Sequence, residues 1–244
     1  MRFVSVSQKK QRFGSLIEAL HLDFSSKFQI AFVGSGGKTT LLYQLAREFS
    51  HLGKRVAVTT TTHMEFPSNF PFLEADWDLP ACSSSPALGS ILVYGHREGE
   101  KFSYPGDTLF EKATLCSDVL LVEADGSRRH PAKFPASHEP VIPPGTDLIL
   151  AVTGMSAICQ PWKAACHRSL LAQEAGLLTV EETITADGLM GLLHTAYLVP
   201  LRERYPDTRV VPVLNQADDD DLLEMGLRVL EDYGECDGIM ACCL

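Results

Sequence analysis

Residues 34–40 combine a glycine-rich turn with a lysine and two threonines. They are Gly34, Ser35, Gly36, Gly37, Lys38, Thr39 and Thr40. An apolar run over residues 28–33 precedes them, and a helical pattern with an apolar face follows. Strand, glycine turn, Lys-Thr and helix form the layout of a loop that binds phosphate through backbone N–H groups. Lys38 would reach the outer phosphates and the Thr39 hydroxyl would ligate magnesium, whereas the alternative is an ordinary glycine-rich turn.

The spacing of this loop is shorter than usual. Only Ser35 and Gly36 separate Gly34 from the Gly37-Lys38 pair, where the common phosphate-binding loop has about four intervening residues. The shorter form resembles the G-T-N-G-K-T loop of the Mur-type ATP-dependent ligases. Those ligases carry large additional domains, for which 244 residues leave little room.

Two carboxylates, Glu123 and Asp125, follow an apolar run over residues 119–122. Alternation along an extended chain places both on the same side. Magnesium takes oxygen ligands and usually one or two carboxylates, so we expect Glu123 to hold the metal and Asp125 to orient a nucleophile. The alternative is a pair of solvated acids at the start of a loop.

Positive charge is concentrated just beyond these carboxylates, at Arg128, Arg129, His130 and Lys133. Arginine suits bidentate recognition of phosphate or carboxylate. We therefore expect Arg128 and Arg129 to contact the transferring phosphate or an anionic substrate. The alternative is a basic surface loop that only aids solubility.

Polar side chains also follow the apolar run over residues 55–59. They are Thr60, Thr61, Thr62 and His63. Hydroxyl groups there could bind water or metal-bound phosphate, and His63 could serve as acid, base or ligand. For the threonines, β propensity alone is a sufficient alternative explanation.

Residues 215–218, Asn-Gln-Ala-Asp, resemble the N-K-x-D motif with which GTPases read guanine. Asn215 and Asp218 are therefore candidate nucleotide-binding residues, with the Asp218 carboxylate accepting two N–H bonds from the base. Gln216 replaces the lysine of that motif. Alternatively, Asp218 caps the helix that follows.

Strands and helices alternate along the chain. We predict strands at residues 28–33, 55–59, 91–94, 119–122, 147–152, 209–214 and 239–243. We predict helices at residues 13–21, after the glycine loop, and at 107–116, 163–173, 186–202 and 221–233. This alternation indicates an α/β fold of three layers, with a mostly parallel sheet, helices on both faces and a P-loop NTPase-like arrangement.

We expect one domain over residues 1–244. A small lobe or insertion lies around residues 65–106, with loops and a short helix over 65–89 and a hairpin or lobe over 96–106. The prolines of residues 126–146 exclude a helix or a central strand, so this stretch is a long loop. A loop of that length in a compact domain is typically functional.

Composition narrows the class of partner. The net charge of −10 argues against nonspecific binding to nucleic acid or to an anionic membrane. No apolar stretch is long enough to span a bilayer, and the first residues lack the features of a secretory signal. The seven cysteines include no C-x-x-C pair, so we expect a cytoplasmic protein with reduced thiols.

Three of these stretches together resemble the YqeC family. They are residues 34–40, residues 59–63, and residues 123–129 with the Pro-Ala-Lys and His-Glu-Pro that follow at 131–133 and 138–140. Members of that family are described as selenium-dependent molybdenum hydroxylase accessory, or selenium cofactor biosynthesis, proteins. The resemblance covers nearly the whole chain, and E-A-D-G-S-R-R is its most specific part. It implies a nucleotide-binding protein that helps to mature a molybdenum hydroxylase or its cofactor.

Three functions follow from these observations. The first is a magnesium-dependent enzyme that hydrolyses or uses ATP or GTP, with Thr39 and Glu123 on the metal and Arg128 or Arg129 on the developing charge. The second is a nucleotide-gated chaperone that delivers or inserts a cofactor, with residues 126–146 as the segment that responds to nucleotide. The third is a Mur-like ligase.

Overall fold

The computed structural model describes residues 1–6, 11–23, 26–66, 70–74, 87–235 and 237–242, which form an α/β fold around one large sheet. The strands are β1 (Arg2–Ser5), β2 (Gln11–Phe13), β3 (Phe28–Gly34), β4 (Val56–Thr60), β5 (His63–Glu65), β6 (Phe72–Glu74), β7 (Ile91–Glu98), β8 (Lys101–Ser103), β9 (Val119–Glu123), β10 (Ala132–Lys133), β11 (Leu148–Gly154), β12 (Cys166–His167), β13 (Arg209–Asn215) and β14 (Ile239–Cys242). The helices are α1 (Leu16–Leu20), α2 (Lys38–His51), α3 (Asp107–Cys116), α4 (Trp162–Ala165), α5 (Ser169–Glu174), α6 (Ala186–Leu193), α7 (Val199–Arg204) and α8 (Asp220–Asp232). A 3₁₀ turn covers Met155–Ala157, and a π-helical turn, His194–Leu198, joins α6 to α7.

The main sheet has the strand order β2-β1-β14-β13-β11-β3-β9-β4-β7-β8-β5, with β6 also paired to β7. Its centre, from β14 to β7, is parallel, and the antiparallel pairs lie towards its two edges. Parallel strands are buried on both faces and therefore appear in the sequence as continuous apolar runs. This confirms the prediction of a mostly parallel sheet.

Helices cover both faces of the sheet. Alternate residues of β3 separate into two apolar clusters: Ile30 and Phe32 pack with α1 and α2. Ala31 and Val33 face the other side and pack with residues of α6 and α8. The prediction of helices on both faces is therefore confirmed. In the strand order, β3 lies near the centre of the sheet.

One predicted helix, residues 163–173, is wrong. The structure divides it into α4, the short strand β12 and α5. Arg168 has a left-handed backbone with φ of 63°, which ends any continuous helix, and β12 pairs with β10 in a separate two-stranded sheet. Tertiary pairing thus overrides a local helical pattern.

The structure tests the predictions for residues 96–106 and 126–146, and only part of the prediction for residues 65–89. Residues 96–106 contain the β7–β8 turn around Gly99, so the predicted hairpin is confirmed. Much of 65–89 and the last residue of the predicted strand 239–243 lie outside the described residues. Residues 126–146 have no helix and only the two-residue strand β10, which agrees with the prediction of a long loop.

In the part of the chain that the structure describes, no helix has the length and apolar character needed to cross a membrane.

Candidate functional site

Two glycines of the loop between β3 and α2 are required by close packing against β11. Gly34 has φ of +89°, and a Cβ there would lie 2.1 Å from the carbonyl oxygen of Val152. Gly36 has φ of +70°, and its Cβ would lie 2.2 Å from the backbone nitrogen of Gly154. Left-handed backbone and backbone contact both exclude larger side chains. The glycines therefore let residues 34–37 lie directly on the carboxyl end of β11.

Hydrogen bonds fix the loop to the ends of three strands and to residues 126–146. They run from Gly34 N to Asp125 Oδ2 (3.1 Å), from Ser35 N to Val152 O (2.8 Å), from Gly36 N to His130 O (3.2 Å) and from Asn215 Nδ2 to Gly36 O (2.7 Å). The predicted site residue Asn215 thus supports the loop backbone. The carboxyl ends of parallel strands are where such sheets place their ligands.

The first turn of α2 follows directly after the residues that make these contacts. Gly37 is its N-cap residue, and no side chain among the described residues caps the helix. The first N–H groups of a helix have no partner within the helix and carry partial positive charge. Lys38 and Thr39 begin this turn, and Thr40 is exposed beside them. The turn therefore offers donors suited to an anion.

Lys38 points into the protein. Its Nζ donates to the carbonyl oxygen of Gly34 at 2.8 Å and lies 3.3 Å from Asp125 Oδ1. Both side chains are almost completely buried. Reaching a phosphate on the surface of the loop would require Lys38 to exchange the Asp125 carboxylate for phosphate oxygens.

Thr39 and Glu123 meet at the end of β9. The Thr39 hydroxyl donates to Glu123 Oε2 at 2.6 Å. Burial raises the pKa of Glu123, and Lys38 and the Thr39 hydrogen bond oppose that rise. Neighbouring oxygens around octahedral magnesium lie roughly 2.9 Å apart when each metal–oxygen bond is about 2.0–2.1 Å. The two side chains would therefore need to move apart only slightly to bind the ion.

A magnesium ion at this pair could complete its coordination with waters and substrate phosphates. Among the described residues, no group of three or more His, Cys, Asp or Glu side chains is placed to hold a metal. Magnesium commonly binds through one or two carboxylates, waters and substrate phosphates. The Thr39–Glu123 pair fits that mode of binding.

A buried series of alternating charges, here named the charge chain, extends from the loop to the start of α5. Its contacts are Lys38–Asp125 (3.3 Å), Asp125–Lys133 (3.1 Å), Lys133–Glu139 (2.8 Å) and Glu139–Arg168. Burial alone would raise the pKa of Glu139, but hydrogen bonds from Arg168 and Lys133 hold it at about 2. The sequence showed Lys133 only as part of a basic stretch and gave Glu139 no definite role.

Tyr197, in the π-helical turn, belongs to the site although its sequence position did not predict it. Its hydroxyl donates to Asp125 Oδ2 at 3.0 Å, and its side chain is buried. Burial and the neighbouring Asp125 raise the pKa of Tyr197 well above the ordinary value, so it remains a donor. No motif marks this tyrosine, because π-helical turns have no simple sequence pattern, although they are frequent at functional sites.

Three predicted catalytic residues lie in exposed positions. His63 Nε2 is 2.9 Å from Glu98 Oε2, on the β7–β8 hairpin. Arg129 donates to Glu65 through Nε at 3.0 Å and through a second, shorter bond. Arg128 is exposed with a left-handed backbone. Their predicted contacts with phosphate or substrate stay predictions.

The threonines after β4 support the strand ends. Thr60 donates from Oγ1 to the carbonyl oxygen of Glu123 at 2.8 Å and accepts from Thr62 N at 3.0 Å. The Thr61 hydroxyl donates to the carbonyl oxygen of Val141 at 3.0 Å. These contacts fix the backbone of Glu123 and connect it with the loop over residues 126–146.

The structure bears differently on the two predictions for Asp218, contact with a base and capping of the helix that follows. Asp218 is exposed beside α8, and its contact with a base stays a prediction. The alternative that Asp218 caps α8 is wrong, because the N-cap is Asp219, which accepts from Leu222 N at 2.7 Å. Gln216 accepts from the Ser156 hydroxyl at 2.6 Å.

Comparison with known proteins places the chain in a family. The family described as YqeC protein matches residues 30–170, a shorter stretch than the nearly whole chain that the sequence resemblance led us to expect. This stretch contains the glycine loop, the Thr39–Glu123 pair and the charge chain. A relative named "Uncharacterized protein YqeC", from Escherichia coli strain K12, is 39% identical over 132 residues, or 51% of each chain. The alignment therefore spans about half the length of that relative. No solved structure matches the chain. The protein belongs to the YqeC family.

Proposed function

We propose that residues 34–40 bind the phosphates of a nucleoside triphosphate, ATP or GTP, together with magnesium, on a P-loop NTPase-like fold. The observation that carries the proposal is the meeting of Thr39 and Glu123 at 2.6 Å beside the uncapped N-terminus of α2. It unites an oxygen pair suited to magnesium with N–H donors suited to phosphate. Electrostatic attraction would be local, because the chain as a whole is acidic.

Each residue of the loop has a distinct part in this proposal. The N–H groups of the first turn of α2 bind phosphate oxygens, and Thr39 and Glu123 hold the magnesium ion. The ion supplies positive charge that offsets the charge of the phosphates. Lys38 turns from Asp125 to the outer phosphates and stabilises charge that develops there.

Asp125 is better suited to positioning than to contact with a substrate. It is completely buried, and its carboxylate is shared by Gly34 N, Lys38, Lys133 and the Tyr197 hydroxyl. When Lys38 moves to phosphate, Gly34 N, the Tyr197 hydroxyl and Lys133 still contact Oδ2 of Asp125, and Lys133 supplies the balancing positive charge. The charge chain therefore allows Lys38 to move without leaving a buried carboxylate unpaired.

We further propose that the triphosphate is hydrolysed or used in the cytoplasm during maturation of a selenium-dependent molybdenum hydroxylase or its cofactor. Family membership supports this role. A second candidate is a nucleotide-gated chaperone. It is favoured by direct bonds between the loop and residues 126–146, from Gly36 N to His130 O at 3.2 Å and from the Ser35 hydroxyl to Pro131 O at 2.9 Å.

Calorimetric titration with ATP, GTP and CTP, each with and without magnesium, tests binding and base preference. We expect Thr39→Val to remove most of the magnesium dependence of affinity, because the hydroxyl ligand is lost. We expect Lys38→Ala to weaken binding at least about tenfold, equivalent to about 1.4 kcal/mol. The control Lys101→Ala alters an exposed lysine of β8 and should bind as the wild type does.

Magnesium-independent binding that Thr39→Val leaves unchanged would overturn the assignment of the metal pair. Lack of binding of any triphosphate by the folded wild type would overturn the function itself. Single-turnover assays with labelled triphosphate then separate the two candidates, because a gated chaperone need not transfer the phosphate. For the chaperone, nucleotide must change the hydrogen exchange of residues 126–146, and unchanged exchange would exclude it.

A further inference from the structure

A second group of basic side chains lies beside the glycine loop of residues 34–40. The rings of His130 and His167 stack with centroids 5.8 Å apart and planes 17° from parallel. Both rings are partly exposed, and the exposed Arg128 is close enough to His167 to act on it electrostatically. His130, His167 and Arg128 are here named the basic cluster.

Among the described residues, no carboxylate forms an ion pair with a member of the basic cluster. Glu139 is already shared by Lys133 and Arg168. Arg128 forms no hydrogen bond or ion pair with any residue that the structure describes. Burial, followed by the neighbouring Arg168, Lys133, Arg128 and His130, lowers the pKa of His167 from 6.5 to about 4. At neutral pH the His167 ring is therefore uncharged and offers one N–H donor.

Backbone contacts hold the cluster next to the phosphate loop. The carbonyl oxygen of His130 accepts from Gly36 N at 3.2 Å. His167 lies in β12, paired with β10, and its carbonyl oxygen accepts from Phe134 N at 3.0 Å. The backbone of both histidines is therefore held beside the loop, and their rings stack on each other.

We propose that His130, His167 and Arg128 form a second anion site, which binds the oxyanion group, carboxylate or phosphate, of a small acceptor substrate. The guanidinium of Arg128 offers paired donors to two oxygens, and the imidazoles can donate from the side. The role as acceptor site rests on the proposed triphosphate function, whereas binding of the anion itself does not. The cluster would place the acceptor beside the outer phosphate.

NMR of ¹³C-labelled histidine rings tests the site on the full chain. Sulfate stands for a phosphate group and acetate for a carboxylate, with sodium chloride of equal ionic strength as the reference. At neutral pH we expect the ring resonances of His130 and His167 to shift in a saturable way. The anion that acts at the lower concentration identifies the acceptor group. On acid titration in sulfate, we expect the pKa of His167 to rise by about one unit, since a nearby anion stabilises the imidazolium.

Matched variants test whether Arg128 is needed for the anion-induced shift of the histidine ring resonances. Arg128→Gln should raise the anion concentration for half-maximal shift at least about fivefold, while Arg228→Gln, at an exposed arginine of α8, should leave it unchanged. The Lys38→Ala variant should retain the shift. Absence of a saturable shift with either anion, or a shift that Arg128→Gln leaves intact, would overturn the site. If triphosphate fails to bind while the rings still respond, the proposed function fails and the anion site stands.

Discussion

Replacing Glu139 with glutamine removes the central negative charge between Lys133 and Arg168 while keeping the shape of the side chain. The pKa of Glu139 is lowered from its ordinary value of 4.5 to about 2 by these partners, against the opposing effect of burial. A difference of about 2.5 units at roughly 1.4 kcal/mol per unit corresponds to about 3 kcal/mol of stability at neutral pH. The loss of one partner of a buried ion pair typically costs a similar amount. We therefore expect Glu139→Gln to lower the free energy of unfolding by about 3 kcal/mol.

The contribution of Glu139 to stability depends on pH because the pKa of its carboxyl group is lower in the folded than in the unfolded protein. A carboxyl group with a lowered pKa stabilises the folded state fully above its unfolded pKa, and that contribution disappears as the pH falls to the folded value. The wild type should lose the contribution between about pH 4.5 and about pH 2. Glu139→Gln has no such carboxyl group, so the two proteins should approach each other in stability over this range.

Urea unfolding of both proteins at neutral pH and at several acid pH values measures the difference. The control is Glu181→Gln, which alters an exposed partner of Lys163 and should change stability by less than about 1 kcal/mol. A difference between wild type and Glu139→Gln that is the same at pH 7 and near pH 3 would refute the electrostatic reasoning. It would indicate that Glu139 stabilises the fold through packing instead.

Two further predictions concern the loop and its support. Tyr197→Phe removes a donor to the buried Asp125 carboxylate and should lower stability by about 1.5–3 kcal/mol in urea unfolding, whereas Tyr104→Phe, at a more exposed Asp107 contact, should have a much smaller effect. Equal losses of stability in the two variants would show that the buried hydrogen bond to Asp125 contributes no more than the exposed bond to Asp107. Gly36→Ala places a Cβ 2.2 Å from Gly154 N and should abolish triphosphate binding, while Gly99→Ala, with φ of +60° in open space, should lose only about 1–2 kcal/mol of stability and keep binding. Normal triphosphate binding by Gly36→Ala would contradict the required close approach to β11.

The central strands were predictable because burial on both faces leaves an unbroken apolar run. Residues 119–122 and 147–152 are such runs, and they correspond to β9 and β11. The helix at residues 107–116 was likewise predictable from its own pattern. By contrast, β1 and β2 at the sheet edge and the two-residue strands β10 and β12 depend on pairing partners far along the chain, which local sequence does not reveal.

The candidate site was predictable where one segment carries the chemistry. The loop over residues 34–40 and the acidic end of β9 were recognisable, and the structure brings Thr39 and Glu123 into contact. The pairing of Lys133 with Glu139 and of Glu139 with Arg168 was not recognisable, because β10 and β12 must first meet. A tyrosine inside an apolar helix gives no sign that its hydroxyl reaches a carboxylate.

The π-helical turn, His194–Leu198, restricts how this helix can evolve or be redesigned. On one side of the helix Tyr197 reaches Asp125, and beyond the turn Arg202 forms paired bonds to Glu235 at 2.7 and 2.6 Å. Deleting one residue of the turn would regularise the helix but rotate the residues beyond the deletion by about 100° relative to those before it. One of the two contacts would then be lost. Local regularity and the geometry of the site are therefore incompatible here, and a stabilising design should leave the irregular turn in place.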